Sequence, residues 1–207
     1  MQNGSRLTPF ATALFARSGN IMSYCVFVAQ LPPETASAHK QYHDERYGFP
    51  VDDDNELFGR LVLEINQAGL SWSTILNKEA GFLQAYDHFN IDTVAAYDES
   101  DRARLLADAD IIRNRLKINA AIHNARVVQG LQQEHGSFRA WLQRHHPMSK
   151  DDWVRLFRKT FKFTGGEIVG SFLMSIGYLP GAHDEDCPIY HRALKAGAIW
   201  QQQPVKK

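Results

Sequence analysis

Helical periodicity, punctuated by capping residues and glycines, limits the fold of this chain more than any other feature of its sequence. Asp53 and Glu56 have capping-box spacing, and the apolar residues that follow share one helical face until Gly69: Leu57, Phe58, Leu61, Ile65 and Ala68. Nearly everything from Asp53 to Gly177 has this form, and no alternating segment is long enough for a strand. The sequence therefore predicts an all-α fold.

Capping and stop signals place the other helices. One helix begins after Ser71, and apolar residues repeat at helical spacing from Phe82 to Phe89. Asp92 and Ser100 are N-cap candidates for two short helices. The further predicted helices are Thr93–Tyr97, Asp101–Ala107, Arg113–Gln133 before the stop at Gly136, Ser137–Arg144, Lys150–Lys159 capped by Ser149, and a last helix from Gly165-Gly166 to Gly177.

Length and charge limit the classes of partner. With 207 residues and a net charge of zero, the chain can bury a real core, and any affinity for nucleic acid must come from a local patch. No apolar run approaches the roughly 20 residues of a membrane span. We expect a cytoplasmic monomer with one helical domain of two lobes at residues 22–200, a mobile extension at 1–21 and a tail at 201–207. The two cysteines are expected to be free or metal-bound, although a single long-range disulfide is the alternative.

A glycine-ended turn between two predicted helices, residues 161–166, has the features of a DNA-backbone anchor. Such a turn presents backbone N–H groups and a helix N-terminus, which suit a phosphate. Lys162, Thr164, Gly165 and Gly166 are the candidate contacts, and Gly165 is predicted to need a positive φ or a close backbone approach. Four basic residues lie within eight positions: Arg155, Arg158, Lys159 and Lys162. The alternative is an ordinary helix–helix turn with a solvated basic face.

Aromatic residues flank one carboxylate that lies within an apolar helical pattern. Glu64 precedes Trp72 by two helical turns, and Tyr42 and Tyr47 lie just upstream. A carboxylate held among aromatic rings suits a planar ligand that is cationic or carries an amine, such as a modified base. The alternative is core packing with Glu64 exposed to solvent.

Two cysteines and two histidines form a candidate metal-binding set. His183 and Cys187 are separated by three residues, and Cys25 and His43 would supply the other half. Such a set closes a tetrahedral zinc site with no open position, so its role would be structural and would join the two ends of the chain. The alternatives are free thiols and histidines that hydrogen-bond within the core.

With these motifs in this order, the chain resembles the 3-methyladenine DNA glycosylase I family of base-excision repair. The resemblance runs from Cys25 to about Tyr190. It rests on five matches: Tyr42-His43-Asp44 with Tyr47-Gly48; Leu63-Glu64 with Gln67-Ala68-Gly69-Leu70-Ser71-Trp72; Ile111-Ile112-Arg113-Asn114 with Lys117-Ile118; Phe161-Lys162-Phe163 with Gly165; and His183 with Cys187.

The resemblance implies a helix-hairpin-helix glycosylase with a zinc site that joins its N- and C-terminal segments. It places Glu64 on the carboxylate that recognises the damaged base and Trp72 on the ring that stacks on it. Tyr42, Tyr47 and Phe27 fall on further aromatic positions of the pocket, Phe27 standing where the family commonly has tryptophan. The zinc ligands implied are Cys25, His43, His183 and Cys187.

The implied partner is double-stranded DNA that contains alkylated bases. We expect monofunctional hydrolysis, because no lysine is positioned for a Schiff base. Asp184 and Asp186 lie at the distance from the hairpin where related enzymes carry an aspartate, but they flank the metal set and rank below Glu64. Two other classes stay open at this point: a DNA-binding module that recognises lesions without cleaving the glycosidic bond, and a helical regulator that uses 150–177 as a helix-turn-helix.

Overall fold

A computed structural model of the chain describes residues 22–202, and the predicted extension at 1–21 lies outside this range, as do 203–207 of the predicted tail. The described residues are helical and contain no strand, which confirms the predicted class. The helices are α1 Tyr24–Gln30, α2 Pro33–Glu45, α3 Asp54–Gln67, α4 Trp72–Ala85, α5 Ile91–Ala96, α6 Glu99–Ala107, α7 Arg115–His135, α8 Phe138–His145, α9 Lys150–Thr160, α10 Gly166–Ser175 and α11 Pro188–Lys195, with short 3₁₀ turns at Asp87–Phe89 and Ile199–Gln201. None of these helices has the length and apolar character that a bilayer crossing requires.

Helix α3 is the centre of the fold. Every residue from Leu57 to Asn66 is buried, and α3 packs against α4, α7, α8 and α10. The predicted cap is confirmed, since the Asp53 side chain accepts a hydrogen bond from the Glu56 amide at 2.8 Å. A helix that is surrounded on all sides holds its side chains rigidly, and α3 is the helix that carries Glu64.

Two predicted caps were wrong by two residues. Helix α5 is capped by Asn90 instead of Asp92, and α6 by Asp98 instead of Ser100. Asn90 Oδ1 accepts from the Thr93 amide at 2.9 Å. Asp98 forms a reciprocal capping box with Asp101, and the Ser100 hydroxyl donates to Asp98. In both helices a side-chain oxygen two residues earlier accepts from the amides of the first turn, so the predicted cap lies inside the helix.

Three helices escaped prediction, namely α1, α2 and α11. Each had a local signal: Ser23 caps α1 through the Val26 amide, and Pro33 and Pro188 occupy the first position of α2 and α11. Helix α1 contacts α2, and α2 contacts α4. These contacts bring the N-terminal segment beside α4, the helix that begins at Trp72.

Candidate functional site

Five residues predicted to form a ligand pocket line one cavity of about 300 Å³: Phe27, Tyr42, Tyr47, Glu64 and Trp72. They come from α1, α2, the loop after α2, α3 and α4. The interpretation that these aromatics merely pack a core with an exposed Glu64 is therefore wrong, because Glu64 is only 4 % exposed. A cavity of this size with one acid at its wall suits a small planar ligand.

The Glu64 carboxylate is buried without a hydrogen-bond partner among residues 22–202. Burial raises its pKa from the ordinary 4.5 to about 8, and the nearby Arg60 guanidinium offsets only part of this shift. Arg60 itself is committed elsewhere, since it donates to Glu56 and to the carbonyls of Arg46 and Ser175 at 2.8 Å. A buried carboxylate without a donor is ready to accept hydrogen bonds from a ligand and favours one that is cationic.

The aromatic rings form the rest of the wall. The Tyr42 and Trp72 ring centroids are 5.1 Å apart, and those of Tyr42 and Tyr47 are 5.6 Å apart. Phe27 stacks on Tyr24 at 6.1 Å. Trp72 is the first residue of α4, where the Ser71 side chain caps the helix through the Thr74 amide. Rings held in this way offer flat apolar faces at low entropic cost.

The four predicted metal ligands meet at one point. Their ligand atoms all lie within 4.8 Å of one another. His43 Nε2 is 3.2 Å from Cys25 Sγ, 3.2 Å from His183 Nδ1 and 3.8 Å from Cys187 Sγ. A tetrahedral zinc ion with ordinary bond lengths needs ligand separations of about 3.3–3.8 Å. The four ligand atoms therefore lie close enough together to hold one metal ion.

Outer contacts prepare both histidines for a metal. His43 Nδ1 lies 2.7 Å from Asp44 Oδ1, and His183 Nε2 lies 2.7 Å from the Tyr47 carbonyl oxygen. Each outer nitrogen must carry the proton to donate to these oxygens, so the inner nitrogens present lone pairs to each other. A metal ion held between these nitrogens, which lie 3.2 Å apart, would bind both lone pairs.

The cysteines and the backbone agree with this assignment. Burial raises the pKa of Cys25 to about 12, so its thiolate needs an added positive charge. Gly48 has a φ of +80°, and a Cβ there would come within 2.7 Å of Ala182 Cβ. Only glycine allows the loop that follows α2 to pass so close to the segment that carries His183. The two cysteines are not joined in a disulfide.

The predicted hairpin is present between α9 and α10. The fully buried Asn124 of α7 fixes the hairpin backbone at Lys162. Its side chain accepts a hydrogen bond from the Lys162 amide at 2.8 Å and donates one to the Lys162 carbonyl at 3.0 Å. The Lys162 side chain remains exposed. The N-cap of α10 is Gly165, which has no side chain to accept from the first amides of the helix. These amides are therefore left to bind a ligand.

The structure corrects the expected backbone conformation of Gly165 and limits the contact that Thr164 can make. Gly165 has a φ of −79°, and a Cβ there would meet nothing within 4 Å, so the predicted positive φ or close approach is wrong. The left-handed residue is Phe163, with a φ of +63°. Thr164 is buried, and its hydroxyl donates to the Phe157 and Phe161 carbonyls, so its side chain closes the turn from inside.

Sequence reasoning missed several polar residues of the pocket, among them Tyr24, His39 and Ser73. Tyr24 precedes Cys25, and Ser73 follows Trp72, so proximity to predicted site residues was the available signal. His39 lies one turn before His43 on the same helix. Asp184 lies outside the pocket and accepts a hydrogen bond from the Ser23 hydroxyl, beside the metal ligands.

Helices α9 and α10, the turn between them, and a pocket that combines a buried carboxylate with aromatic rings define the class as a helix-hairpin-helix protein with a ligand pocket. The sequence profile of the methyladenine glycosylase family matches residues 33–191. The chain belongs to this family.

Relatives support the assignment along most of the chain. It is similar to DNA-3-methyladenine glycosylase 1 of Escherichia coli K12, with 35% identity over 188 residues that cover 82% of this chain and 97% of that protein. It is 29% identical over 171 residues to DNA-3-methyladenine glycosylase of Haemophilus influenzae, covering 73% of this chain and 92% of the other.

Solved structures agree with these relatives. The fold resembles 3-methyladenine DNA glycosylase I from Staphylococcus aureus, with a TM-score of 0.71 and 30% identity over 80% of this chain and 95% of that one. A variant of 3-methyladenine DNA glycosylase I in complex with 3-methyladenine gives a TM-score of 0.70 and 30% identity over 81% and 97% of the two chains.

Proposed function

We propose that this protein is a DNA glycosylase that removes 3-methyladenine from alkylated DNA by hydrolysing its N-glycosidic bond. The observation that carries the proposal is the buried, unpartnered Glu64 carboxylate in an aromatic pocket. The relatives named for this activity support it.

Charge explains why such a pocket suffices. Methylation at N3 gives adenine a positive charge, so the base is a good leaving group and needs little general-base assistance. Glu64 accepts from the exocyclic amine and offsets the cation, while Trp72, Tyr42, Tyr47 and Phe27 enclose the ring. In a buried site these interactions are stronger than in water. The nucleotide must leave the duplex to reach them.

The hairpin supplies the grip on DNA in this proposal. Lys162, together with the backbone of Thr164, Gly165 and Gly166, contacts phosphate oxygens without reading sequence. Asn124 supports this role, because it fixes the backbone of Lys162 and leaves the side chain exposed.

The pocket lining supports the proposal of monofunctional hydrolysis. No lysine is found among the described residues that line the cavity. Lys117 is buried, but its ammonium donates to the Asn66 and Ala68 carbonyls at 2.8 and 2.7 Å. It closes the C-terminal end of α3, so this ammonium is engaged away from Schiff-base chemistry.

The metal cluster has a structural role in this proposal. Cys25, His43, His183 and Cys187 hold one ion, which we assign as zinc from the donor set. It fastens α1 and α2 to the segment before α11, so it shapes the pocket from outside. We further propose a monomer that acts in the cytoplasm, in accord with two cysteines that are not paired as a disulfide.

The direct test is release of free base from DNA treated with a methylating agent. The proposal expects chromatography to show free 3-methyladenine and an intact phosphodiester backbone until the abasic sites are cleaved by alkali. Tight binding to methylated DNA without base release would instead establish the non-catalytic lesion-binding module. Preference for one undamaged sequence would establish the regulator.

A further inference from the structure

A chain of three polar side chains crosses the wall of the pocket. Tyr24 of α1 places its hydroxyl 2.9 Å from His39 Nδ1 on α2, and His39 Nε2 lies 2.8 Å from Ser73 Oγ on α4. All three residues line the cavity that contains Glu64, and His39 is only 6 % exposed. The mechanism described above uses none of them.

The number of protons in this chain restricts what it presents to a ligand. Burial lowers the pKa of His39, so its ring carries one N–H at neutral pH. If Nε2 carries the proton, it donates to Ser73 and Tyr24 donates to Nδ1, which leaves the Ser73 hydrogen free. If Nδ1 carries it, Ser73 donates to Nε2, and the Tyr24 hydrogen has only the His39 carbonyl at 3.5 Å. Either tautomer leaves one hydroxyl hydrogen available.

The position of Ser73 gives that hydrogen a target. Ser73 follows Trp72, the ring proposed to stack on the base, at the start of α4. If Glu64 accepts from the exocyclic amine of adenine, the ring acceptors nearest that amine are N1, bonded to the carbon that bears it, and N7, bonded to the next ring carbon on the other side. A hydroxyl donor elsewhere on the same pocket wall can then donate a hydrogen bond to one of these two nitrogens. A buried hydrogen-bond donor that finds no acceptor on the ligand lowers the binding free energy more than a poorly fitting apolar contact does.

We infer that His39 is a positioning residue that makes Tyr24 and Ser73 present a hydroxyl donor to a ring nitrogen of the adenine-type base. His39 thereby sets a preference for purines that keep this acceptor. The inference rests on the proposed base-binding role of Glu64, and it adds a hydrogen bond at a second edge of the base.

The test compares 3-methyladenine with its 1-deaza and 7-deaza analogues, each of which replaces one ring nitrogen by C–H. Dissociation constants are measured by calorimetry for the wild type, His39→Leu, His39→Gln and Ser73→Ala. His145→Gln is the matched control, since His145 on α8 hydrogen-bonds the Trp141 carbonyl away from the pocket. Melting temperatures are recorded for every variant.

In the wild type, one analogue should bind about 2- to 12-fold more weakly than 3-methyladenine, as expected for one neutral hydrogen bond. His39→Leu should weaken binding of 3-methyladenine and remove the difference between it and that analogue. His39→Gln, which keeps an amide near the position of Nε2, should restore part of the difference. His145→Gln should change neither quantity.

A purely structural His39 would give another pattern. His39→Leu would then weaken all three bases by one common factor, in step with a lower melting temperature, and the inference would be overturned. If His39→Leu does not fold, Ser73→Ala and His39→Gln decide the matter by the same comparison of bases. Wild-type protein that fails to bind 3-methyladenine would count against the proposed function itself, whereas binding that depends on Glu64 but ignores His39 would refute only this inference.

Discussion

Replacing Glu64 by glutamine removes the charge of the pocket and keeps its volume, so Glu64→Gln separates recognition from packing. The lost interaction is a charge-assisted hydrogen bond to a cationic base, worth about 1.5–3 kcal/mol, or about 10- to 150-fold in rate. Single-turnover excision of 3-methyladenine should fall by this factor. The folded state should survive, because the carboxylate has no hydrogen-bond partner among the described residues that its loss would strand.

The same substitution should stabilise the protein at alkaline pH. Folded Glu64 keeps its proton up to about pH 8, whereas an unfolded chain releases it near 4.5. The folded state therefore binds more protons between these values, and wild-type stability falls as pH rises through this window and levels off above pH 8. The difference between the two pKa values limits the loss to at most about 5 kcal/mol.

Urea unfolding at pH 5 and pH 9 measures this effect. Glu64→Gln has no proton to lose, so it should be more stable than the wild type at pH 9 and close to it at pH 5. The wild-type kcat/KM for excision should rise with pH toward about 8, where free Glu64 ionises. Equal pH slopes of stability in the two proteins, combined with unchanged excision, would refute the reasoning about Glu64.

Three further perturbations test other parts of the molecule. Lys162→Gln should weaken binding equally for all DNA sequences and lower the salt slope by about one unit, whereas Lys195→Gln on α11 should leave the slope unchanged; equal slopes for both would assign Lys162 to a solvated face. Cys187→Ser should lose one equivalent of metal by elemental analysis and melt earlier, with exposed His191→Asn as the control that keeps the metal; metal-free wild-type protein prepared without chelator would exclude the site. Asn124→Ala should weaken DNA binding and lower the free energy of unfolding by about 1–3 kcal/mol, because the Lys162 amide and carbonyl lose their hydrogen-bond partner. Unchanged DNA affinity would show that the hairpin backbone does not take part in DNA binding.

Local sequence signals predicted the helices of the middle of the chain well. The cap at Asp53, the cap at Ser71 and the stop at Gly136 each act through the next few residues, so spacing alone identifies them. The errors at Asp92 and Ser100 arose because Asn90 and Asp98 offered competing oxygen acceptors two residues earlier. Such competition depends on backbone geometry that the sequence does not specify.

The candidate site likewise has residues that local sequence signals reveal and residues that only the packing of helices brings together. Residue type and order, with the family resemblance, predicted that Glu64 lies in the pocket and that four residues meet as a candidate metal cluster. The hydrogen bonds of His39 to Tyr24 and Ser73 join three helices across 15 and 34 residues, and Asn124 meets Lys162 across 38 residues. Contacts of this kind follow from how helices pack, which no local pattern encodes. For the same reason Gly165 was given a strained conformation that Phe163 adopts instead.

The most direct measurement of the central proposal is single-turnover excision from an oligonucleotide duplex that carries one 3-methyladenine, with wild type and Glu64→Gln compared at pH 8. Free base is quantified by chromatography, and circular dichroism confirms that both proteins are folded. The account predicts stoichiometric release by the wild type and release that is about 10- to 150-fold slower in the variant. Equal rates for two folded proteins, or no release by either, would contradict it.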